Sequence, residues 1–298
     1  MSSERVPTDR PSSHHVVEIG LVAMAVIWGV NFSVVKYGTQ VMAPLGYNVL
    51  RMGLGCVVLL TMATFRAGPK PSWRDRRSLM GLGVLGHCIY QVLFITGLSR
   101  TRAGTAALVV AATPAVVAIV ARVTGHERLA RRAVMGIVLS ISGVILVLGG
   151  SLSADGAASL IGDLMILGAV VCWAFYTTGL VPFTRHVEPV QLAAWTLFGG
   201  VLPLALIASP ALLRTDWAGV TWLTWGAVAY SGILAMVIAY LFWYRGVRQI
   251  GPTRTAMYAN LQPVVAVLVA WMVLHEVPTL TQGIGAVTVI GGLYLSRT

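Results

Sequence analysis

The sequence predicts an all-α integral membrane protein of ten transmembrane helices, arranged as a 5+5 inverted repeat around a central cavity. Three observations support this fold class: an apolar composition, ten apolar windows, and residues that recur at fixed offsets between the two halves. Of the 298 residues, 57% are hydrophobic and 10% are charged, and the mean hydropathy is +0.80. A soluble fold would have too few polar residues to cover such a core, so we expect lipid to be the solvent.

Charge and cysteine content exclude several classes of protein. The formal net charge is +11, but the basic residues lie between apolar blocks and form no aromatic-studded basic face, so we expect no nucleic-acid partner. The three cysteines, Cys56, Cys88 and Cys172, lie far apart in apolar segments without the spacing of a metal site or a disulfide framework. The sequence contains no HExxH or GxSxG motif. We therefore expect no metal, no cofactor and no enzymatic activity.

Ten apolar windows follow one another along the chain. Each is close to the length of about 20 residues that crosses about 30 Å of hydrocarbon as a helix. Glycine and proline mark the joints, and the short connections predict that neighbouring helices pack as antiparallel hairpins. The polar residues 1–15 are predicted to be a disordered cytoplasmic tail, followed by two five-helix halves, 16–150 and 157–298. The windows are 17–36, 44–65, 78–98, 103–123, 132–149, 162–183, 190–208, 219–244, 253–273 and 281–296.

The distribution of Lys and Arg predicts the orientation in the membrane. If the N-terminus is cytoplasmic, the inner segments hold 16 of these residues and the outer segments hold 4, with Arg51 inside a span. We therefore predict a multi-pass protein of the cell (inner) membrane with both termini in the cytoplasm.

A repeat relates the two halves. Six residues recur at an offset of 149, and Trp28 and Pro44 recur at an offset of 145 as Trp173 and Pro189. Because five spans per half is an odd number, the second half must enter the membrane inverted, an architecture typical of carriers with a site at the midplane. Inversion would place Glu127 inside and Glu276 outside. The six pairs are Gly97 and Gly246, Pro114 and Pro263, His126 and His275, Glu127 and Glu276, Gly136 and Gly285, and Gly143 and Gly292.

The matched prolines, Pro114 and Pro263, are predicted to kink spans four and nine. Each lacks an N–H and therefore leaves a carbonyl four residues earlier, that of Val110 or Ala259, without its helical donor. Breaks at corresponding positions of two repeats point to a binding site, although a kink that serves helix packing alone is the alternative.

Several ordered segments resemble the EamA-type carriers of the drug/metabolite transporter superfamily. The first span reads Trp28-Gly-Val-Asn31-Phe-Ser-Val-Val-Lys36, and each half closes on a His-Glu pair followed by two glycines. The second half opens on Gly162-Asp163 with Trp173 further along the same span. The resemblance implies a ten-helix fold with a central cavity between the halves, usually serving the export of amino acids or other metabolites.

Polar and aromatic residues at bilayer depth are the candidate binding residues, because an unpaired polar group in hydrocarbon costs about 1–3 kcal/mol. Repeat symmetry aims the face of Trp28 and the matching face of Trp173 at one axis. A water-filled cavity and interhelical hydrogen bonds would each satisfy these residues, and both interpretations stay open. The candidate substrate-binding residues are Trp28, Asn31, His87, Tyr90, Gln91, Trp173, Tyr176, Tyr258 and Gln262.

Lys36 and Arg51 are the candidate anion contacts. Arg51 lies about 10 Å inside its span by helical rise, and we expect it to snorkel outward in preference to facing the cavity. Tyr240, Trp243 and Tyr244 are expected to be anchors at the membrane interface. All ten acidic residues lie in tails, loops or span ends, so we expect a uniporter or exchanger in preference to a proton-coupled carrier.

The sequence thus predicts a carrier that exports small amphipathic metabolites by alternating access, with the membrane lipid and a small-molecule substrate as its partners. Amino acids are favoured, above all aromatic or apolar ones, because rings would stack on the side chain while amides hold the zwitterion. One alternative is a carrier of sugar-phosphate-like anions, which would place Lys36 and Arg51 in the site. The others are a channel and an intramembrane enzyme that acts on lipid.

Overall fold

The computed structural model of the protein describes residues 11–66, 70–124 and 131–297. These ranges are helical between short turns and form no strand. Eight of their helices are long and apolar enough to cross a membrane, and two shorter apolar stretches, Val134–Gly150 and Leu280–Gly292, lie in two further helices. The predicted tail, residues 1–15, overlaps the start of the first helix, and residues 1–10 lie outside the described ranges.

The helices fall where the apolar windows predicted them. That all ten cross the membrane stays a prediction, because the apolar stretches of the fifth and the tenth helix are the short ones. The helices are α1 (Pro11–Val41), α2 (Pro44–Phe65), α3 (Trp73–Arg100), α4 (Ala103–Val110 and Thr113–Val123), α5 (Arg131–Asp155), α6 (Ala157–Thr184), α7 (Pro189–Leu213), α8 (Trp222–Ile250), α9 (Pro252–Tyr258 and Leu261–Leu274) and α10 (Leu280–Arg297).

Local chemistry explains where several helices begin. Pro44, Pro189 and Pro252 stand in the first turn of α2, α7 and α9, where the missing N–H has no helical partner to lose. Ser72 caps α3 by accepting the backbone N–H of Asp75 at 3.1 Å. These starts follow directly from residue type.

Two helices are interrupted at matched positions. The α-helical geometry of α4 breaks at residues 111–112 and that of α9 at residues 259–260. The freed carbonyl of Val110 accepts the hydroxyl of Thr113 at 2.6 Å, and that of Ala259 accepts the backbone N–H of Gln262 at 2.9 Å. Each break is therefore satisfied locally, as non-helical backbone inside a membrane protein must be.

α3 and α8 contain matched π-helical segments, Val84–Ile89 and Tyr230–Ile238. The second segment covers the first one shifted by 149 residues, and π-turns inside α-helices often mark functional sites. The first segment packs against α7 and α6, and the second packs against α2 and α1.

α5 and α10 pack against each other through reciprocal glycine contacts. Gly143 lies against the carbonyl of Gly285, and Gly292 lies against the carbonyl of Gly136. Gly143 is equivalent to Gly292 and Gly136 to Gly285, so one contact occurs twice with the partners exchanged, as a two-fold axis requires. Because residues nearer the start of α5 contact residues nearer the end of α10, the two equivalent helices run antiparallel.

A second reciprocal pair of contacts lies nearer the centre. Gly55 of α2 lies against the carbonyl of Gly232 of α8, and Gly200 of α7 lies against the carbonyl of Gly83 of α3. Gly55 and Gly200 differ by 145 residues, and Gly83 and Gly232 by 149, the two offsets of the sequence repeat. Small residues at these crossings let the backbones approach closely.

Candidate functional site

A central cavity lies where the breaks of α4 and α9 meet α1, α2, α3, α6 and α8. It has about 60 Å³ of space for the centres of water-sized molecules, which is enough for several waters at about 10–15 Å³ each. Most of its wall is apolar and aromatic, with a few convergent polar groups, which is the usual make-up of a small-molecule site. The lining residues are Trp28, Asn31, Phe32, Arg51, Tyr90, Gln91, Phe94, Val110, Thr113, Val170, Trp173, Met236, Tyr240, Trp243, Ala259 and Gln262.

The two halves line the cavity with equivalent positions. Trp28 and Trp173 are 145 residues apart, and their rings lie 6.2 Å apart. Four further pairs at the offset of 149 also line it: Gln91 and Tyr240, Phe94 and Trp243, Val110 and Ala259, and Thr113 and Gln262. The cavity therefore lies between the two repeats, and each repeat contributes equivalent positions to its wall.

Aromatic rings form one continuous wall. The ring of Trp173 lies 5.2 Å from that of Tyr90, 5.4 Å from that of Trp243 and 5.7 Å from that of Tyr240. The ring of Trp28 lies 5.4 Å from that of Tyr240. Such spacings are those of favourable edge and tilted ring pairs, so the wall offers ring faces and edges to an apolar ligand.

Tyr240, Trp243 and Tyr244 are not the interface anchors that the sequence suggested. Trp243 and Tyr244 are fully buried and Tyr240 is 4% exposed. The second half of α8 packs against α1, α6, α7 and α9, so protein covers the face that carries these three rings. Tyr240 could have been found from the repeat, since it lies 149 residues after the predicted residue Gln91.

Arg51 faces the cavity, and the expectation that it snorkels outward is wrong. Its side chain is 0% exposed. Its Nε donates to Asn48 Oδ1 at 2.9 Å and its Nη2 donates to Gln91 Oε1 at 2.7 Å. Its Nη1 is buried and has no hydrogen-bond partner among the described residues. The close crossing of α2 with α8 covers the side of α2 on which Arg51 lies.

A chain of hydrogen bonds holds Asn31 in the cavity wall. Asn31 Oδ1 accepts the hydroxyl of Ser231 at 2.6 Å, which lies 2.9 Å from the hydroxyl of Tyr47. The Trp28 ring is held as well, since its Nε1 donates to the carbonyl of Ala235 in the π-helical segment of α8 at 3.0 Å. Both predicted residues of α1 thus have fixed orientations before any ligand binds.

His87 and Tyr176 lie beside the cavity, not in its lining. His87 Nε2 is 3.0 Å from the Tyr176 hydroxyl, which donates to Thr196 Oγ1 at 3.1 Å and also contacts the Tyr244 hydroxyl. All four side chains are buried. The ring of His87 lies 5.2 Å from that of Tyr240, so this network supports the aromatic wall from behind.

Tyr258 and Lys36 are predicted site residues that do not line the cavity. Tyr258 is half-buried against the apolar core and does not line the cavity. The Lys36 ammonium donates to the carbonyls of Leu98, Ser99 and Thr101 at 3.1, 3.3 and 2.5 Å. These carbonyls lack helical partners because α3 ends there, and a cation is the favoured group at a helix C-terminus.

The same end of the bundle holds the carboxylate of Glu276. Its two oxygens accept the backbone N–H groups of Ala103 and Gly104, each at 3.2 Å, at the start of α4. Its predicted counterpart, Glu127, lies outside the described residues together with His126. Among the described residues, no group of three His, Cys, Asp or Glu side chains could hold a metal ion.

Fold and site together define a class of protein. A bundle of long apolar helices with a small polar and aromatic cavity at two matched helix breaks is a membrane protein built to bind a small molecule. The chain belongs to the EamA-like transporter family, whose model matches residues 16–149 and again residues 160–298.

The relatives are transporters by name. The chain is 30% identical over 288 residues to an uncharacterized transporter of Bacillus subtilis, YyaM, covering 94% of this chain and 93% of the relative. It is 27% identical over 282 residues to a "probable terminal-alkyne amino-acid exporter" of Streptantibioticus cattleyicolor, covering 92% and 91% of the two chains. It is also 27% identical over 287 residues to a "probable amino-acid metabolite efflux pump" of Escherichia coli, covering 93% and 94%.

The fold recurs in a solved structure. A crystal structure matches with a TM-score of 0.70 at 20% sequence identity, covering 95% of this chain and 98% of the other. At that identity the match supports the fold alone.

Proposed function

We propose that the chain is a carrier that exports small amphipathic metabolites, with aromatic and other apolar amino acids as its preferred cargo. The observation that carries the proposal is the cavity, in which two matched helix breaks, a wall of rings and a buried arginine come together. Cargo would bind there between inward-open and outward-open states of a ten-span, 5+5 inverted repeat.

The reciprocal contacts support the inverted repeat. α5 and α10 occupy equivalent places in the two halves and run antiparallel, which is the relation that inversion in the membrane produces. The family model also matches the chain twice, over 16–149 and 160–298. The excess of basic residues in the inner segments supports the proposal that both termini lie in the cytoplasm and that the carrier lies in the inner membrane.

The types of residue in the cavity support amino acids as the cargo. The rings of Trp28, Trp173 and Tyr240 offer an apolar surface to a side chain, while Arg51 and the amides of Asn31, Gln91 and Gln262 offer hydrogen bonds to its polar end. Tyr90 completes the wall, and His87 and Tyr176 act through the rings that they support. Two relatives carry names of amino-acid exporters, which agrees with this assignment.

The sugar-phosphate alternative has less support. It requires both Lys36 and Arg51 in the site, whereas the Lys36 ammonium binds three carbonyls at the end of α3. A single buried cation suits a ligand with one negative charge better than one with two.

Counterflow in proteoliposomes tests the function. Vesicles preloaded with unlabelled phenylalanine should transiently accumulate labelled phenylalanine, and likewise tryptophan and leucine, through the purified protein. A panel of sugar phosphates run in parallel should not accumulate. A carrier function of this kind is contradicted if neither panel shows counterflow, and flux without counterflow would indicate a channel.

A further inference from the structure

We infer that the site selects its cargo by a carboxylate and not by an ammonium group, so that an apolar monocarboxylate binds whether or not it carries an α-amino group. The inference rests on the proposed carrier function and names the chemical group that this cavity recognises. It is carried by the hydrogen bonding of Arg51 and by the types of residue that share the cavity with it.

Arg51 lines the cavity and has one donor nitrogen that no described residue satisfies. Its Nε and Nη2 are engaged by Asn48 and Gln91, and its Nη1 is buried without a partner in the described parts of the chain. A guanidinium keeps its charge in proteins and has five donors, no acceptor and a geometry that matches a carboxylate. The partner that suits this donor is an anionic oxygen of the cargo.

The cavity offers no comparable group to a cation. None of the described residues that line it is an Asp or Glu, and Arg51 is the charged member of that set. The buried carboxylate of Asp163 belongs to α6, but it lies ten residues before Trp173 in the chain, about 15 Å by helical rise. A cargo ammonium would find ring faces, the side-chain amide of Gln262 and two carbonyls at the helix breaks, which tolerate a cation without neutralising it.

Those two carbonyls are already partly engaged. The carbonyl of Val110 accepts the Thr113 hydroxyl, and that of Ala259 accepts the Gln262 N–H. Each therefore has one lone pair left for cargo. The positive charge of Arg51 is the charge that a ligand has to neutralise, and the carboxylate of the cargo can do so where its ammonium group cannot.

The repeat gives the bound cargo one orientation. The position equivalent to Arg51 in the second half is Thr196, 145 residues later, whose hydroxyl is bound by Tyr176. The position equivalent to Gln91 is Tyr240. At these two positions the first half is cationic and polar and the second half is not, so the carboxylate would lie against Arg51 and Gln91, and the apolar body against the rings of α6 and α8.

Three probes with the same phenyl ring test the inference by calorimetric titration of the purified protein at pH 7, where their groups are ionised. Phenylalanine has both charged groups, 3-phenylpropionate lacks the amine, and 2-phenylethylamine lacks the carboxylate. We expect the first two to bind with affinities within a few-fold of each other. The amine should bind at least about tenfold more weakly, since it forgoes a charge-assisted hydrogen bond.

Arg51→Gln should remove the difference between the carboxylates and the amine, while Arg51→Lys, which keeps the charge, should retain part of it. Lys36→Gln is the matched control, because it removes a basic residue of the same half that lies outside the cavity, and it should preserve the native order of affinities. Gel filtration and melting profiles establish that each variant is folded, and if the Arg51 variants fail this check, the three affinities of the native protein decide.

Binding of the amine as tight as that of the carboxylates would overturn the inference, as would a carboxylate preference that survives in Arg51→Gln. Failure of all three probes to bind also counts against it. Counterflow measured on the same preparation separates this outcome from failure of the proposed function: transported phenylalanine with indifferent probe selectivity would leave the carrier standing and refute the role of Arg51.

Discussion

Arg51 shows how a single residue sets the character of the cavity. Burying a guanidinium is costly unless its donors are satisfied, because the charge leaves water. Two of its nitrogens donate to Asn48 on its own helix, α2, and to Gln91 on α3. The remaining donor is thereby held in place, which would lower the ordering cost of binding the proposed carboxylate cargo.

Trp173 is the residue on which the aromatic wall converges. Its ring contacts those of Trp28, Tyr90, Tyr240 and Trp243, so Trp173→Ala opens the wall and removes ring surface from cargo. We expect the affinity for phenylalanine to fall by about tenfold or more, since each aromatic pair contributes about 0.5–1.5 kcal/mol beyond area burial. Titration calorimetry measures the change.

The matched control for Trp173→Ala is Trp225→Ala. Trp225 is 46% exposed and stacks on Trp217 outside the cavity, so its removal should leave the affinity within about twofold. An unchanged affinity in a folded Trp173→Ala protein would show that the rings serve packing and not cargo.

At the scale of elements, residues at or beside the breaks in α4 and α9 line the cavity, as does Met236 of the π-helical segment of α8. The π-helical segment of α3 ends directly before another lining residue, Tyr90. Irregular backbone at bilayer depth is tolerated where it is buried in protein or lines a cavity. The long regular helices α5 and α10 pack tightly away from the cavity through glycines. Irregular elements thus form the site, and regular ones hold the halves together.

The α5–α10 crossing gives a test with neighbouring glycines. A side chain at Gly292 would meet the backbone of Gly136 and Ser140, whereas one at Gly291 would meet nothing within 4 Å. Gly292→Leu should therefore destabilise the protein by about 1–3 kcal/mol through overpacking, seen as a lower melting temperature in detergent. Gly291→Leu should melt close to the native protein, and equal melting of the two variants would contradict the packing described for this crossing.

At the scale of the whole molecule, the positions and the order of the helices could be predicted from the sequence, because apolar windows are local signals. The residues that match between the two halves, the prolines among them, could be recognised in the same way. Several residues that line the cavity were also predicted from the sequence, among them Trp28, Gln91 and Trp173. The prediction was wrong for Arg51 and the second half of α8, since the side of a helix that faces protein depends on neighbours that one window does not contain. The capping role of Lys36 depends likewise on where α3 ends in space.

The proposed cycle requires the cavity to open at each end of the bundle in turn. In the structure Thr113 lines the cavity and is buried, so a thiol reagent would reach a cysteine at this position only when the bundle opens. A cysteine at Thr113, in a chain from which the three native cysteines have been removed, would report that opening. Ala218→Cys and His186→Cys serve as controls, because the proposed topology places them on the outer and inner faces.

The most direct test of the central claim is the labelling of Thr113→Cys by a membrane-impermeant thiol reagent in right-side-out and inside-out vesicles. We expect labelling from both sides, slowed by phenylalanine in each case, while Ala218→Cys labels only from outside and His186→Cys only from inside. Labelling of Thr113→Cys from one side alone, or equal labelling with and without cargo, would contradict a cargo site with alternating access.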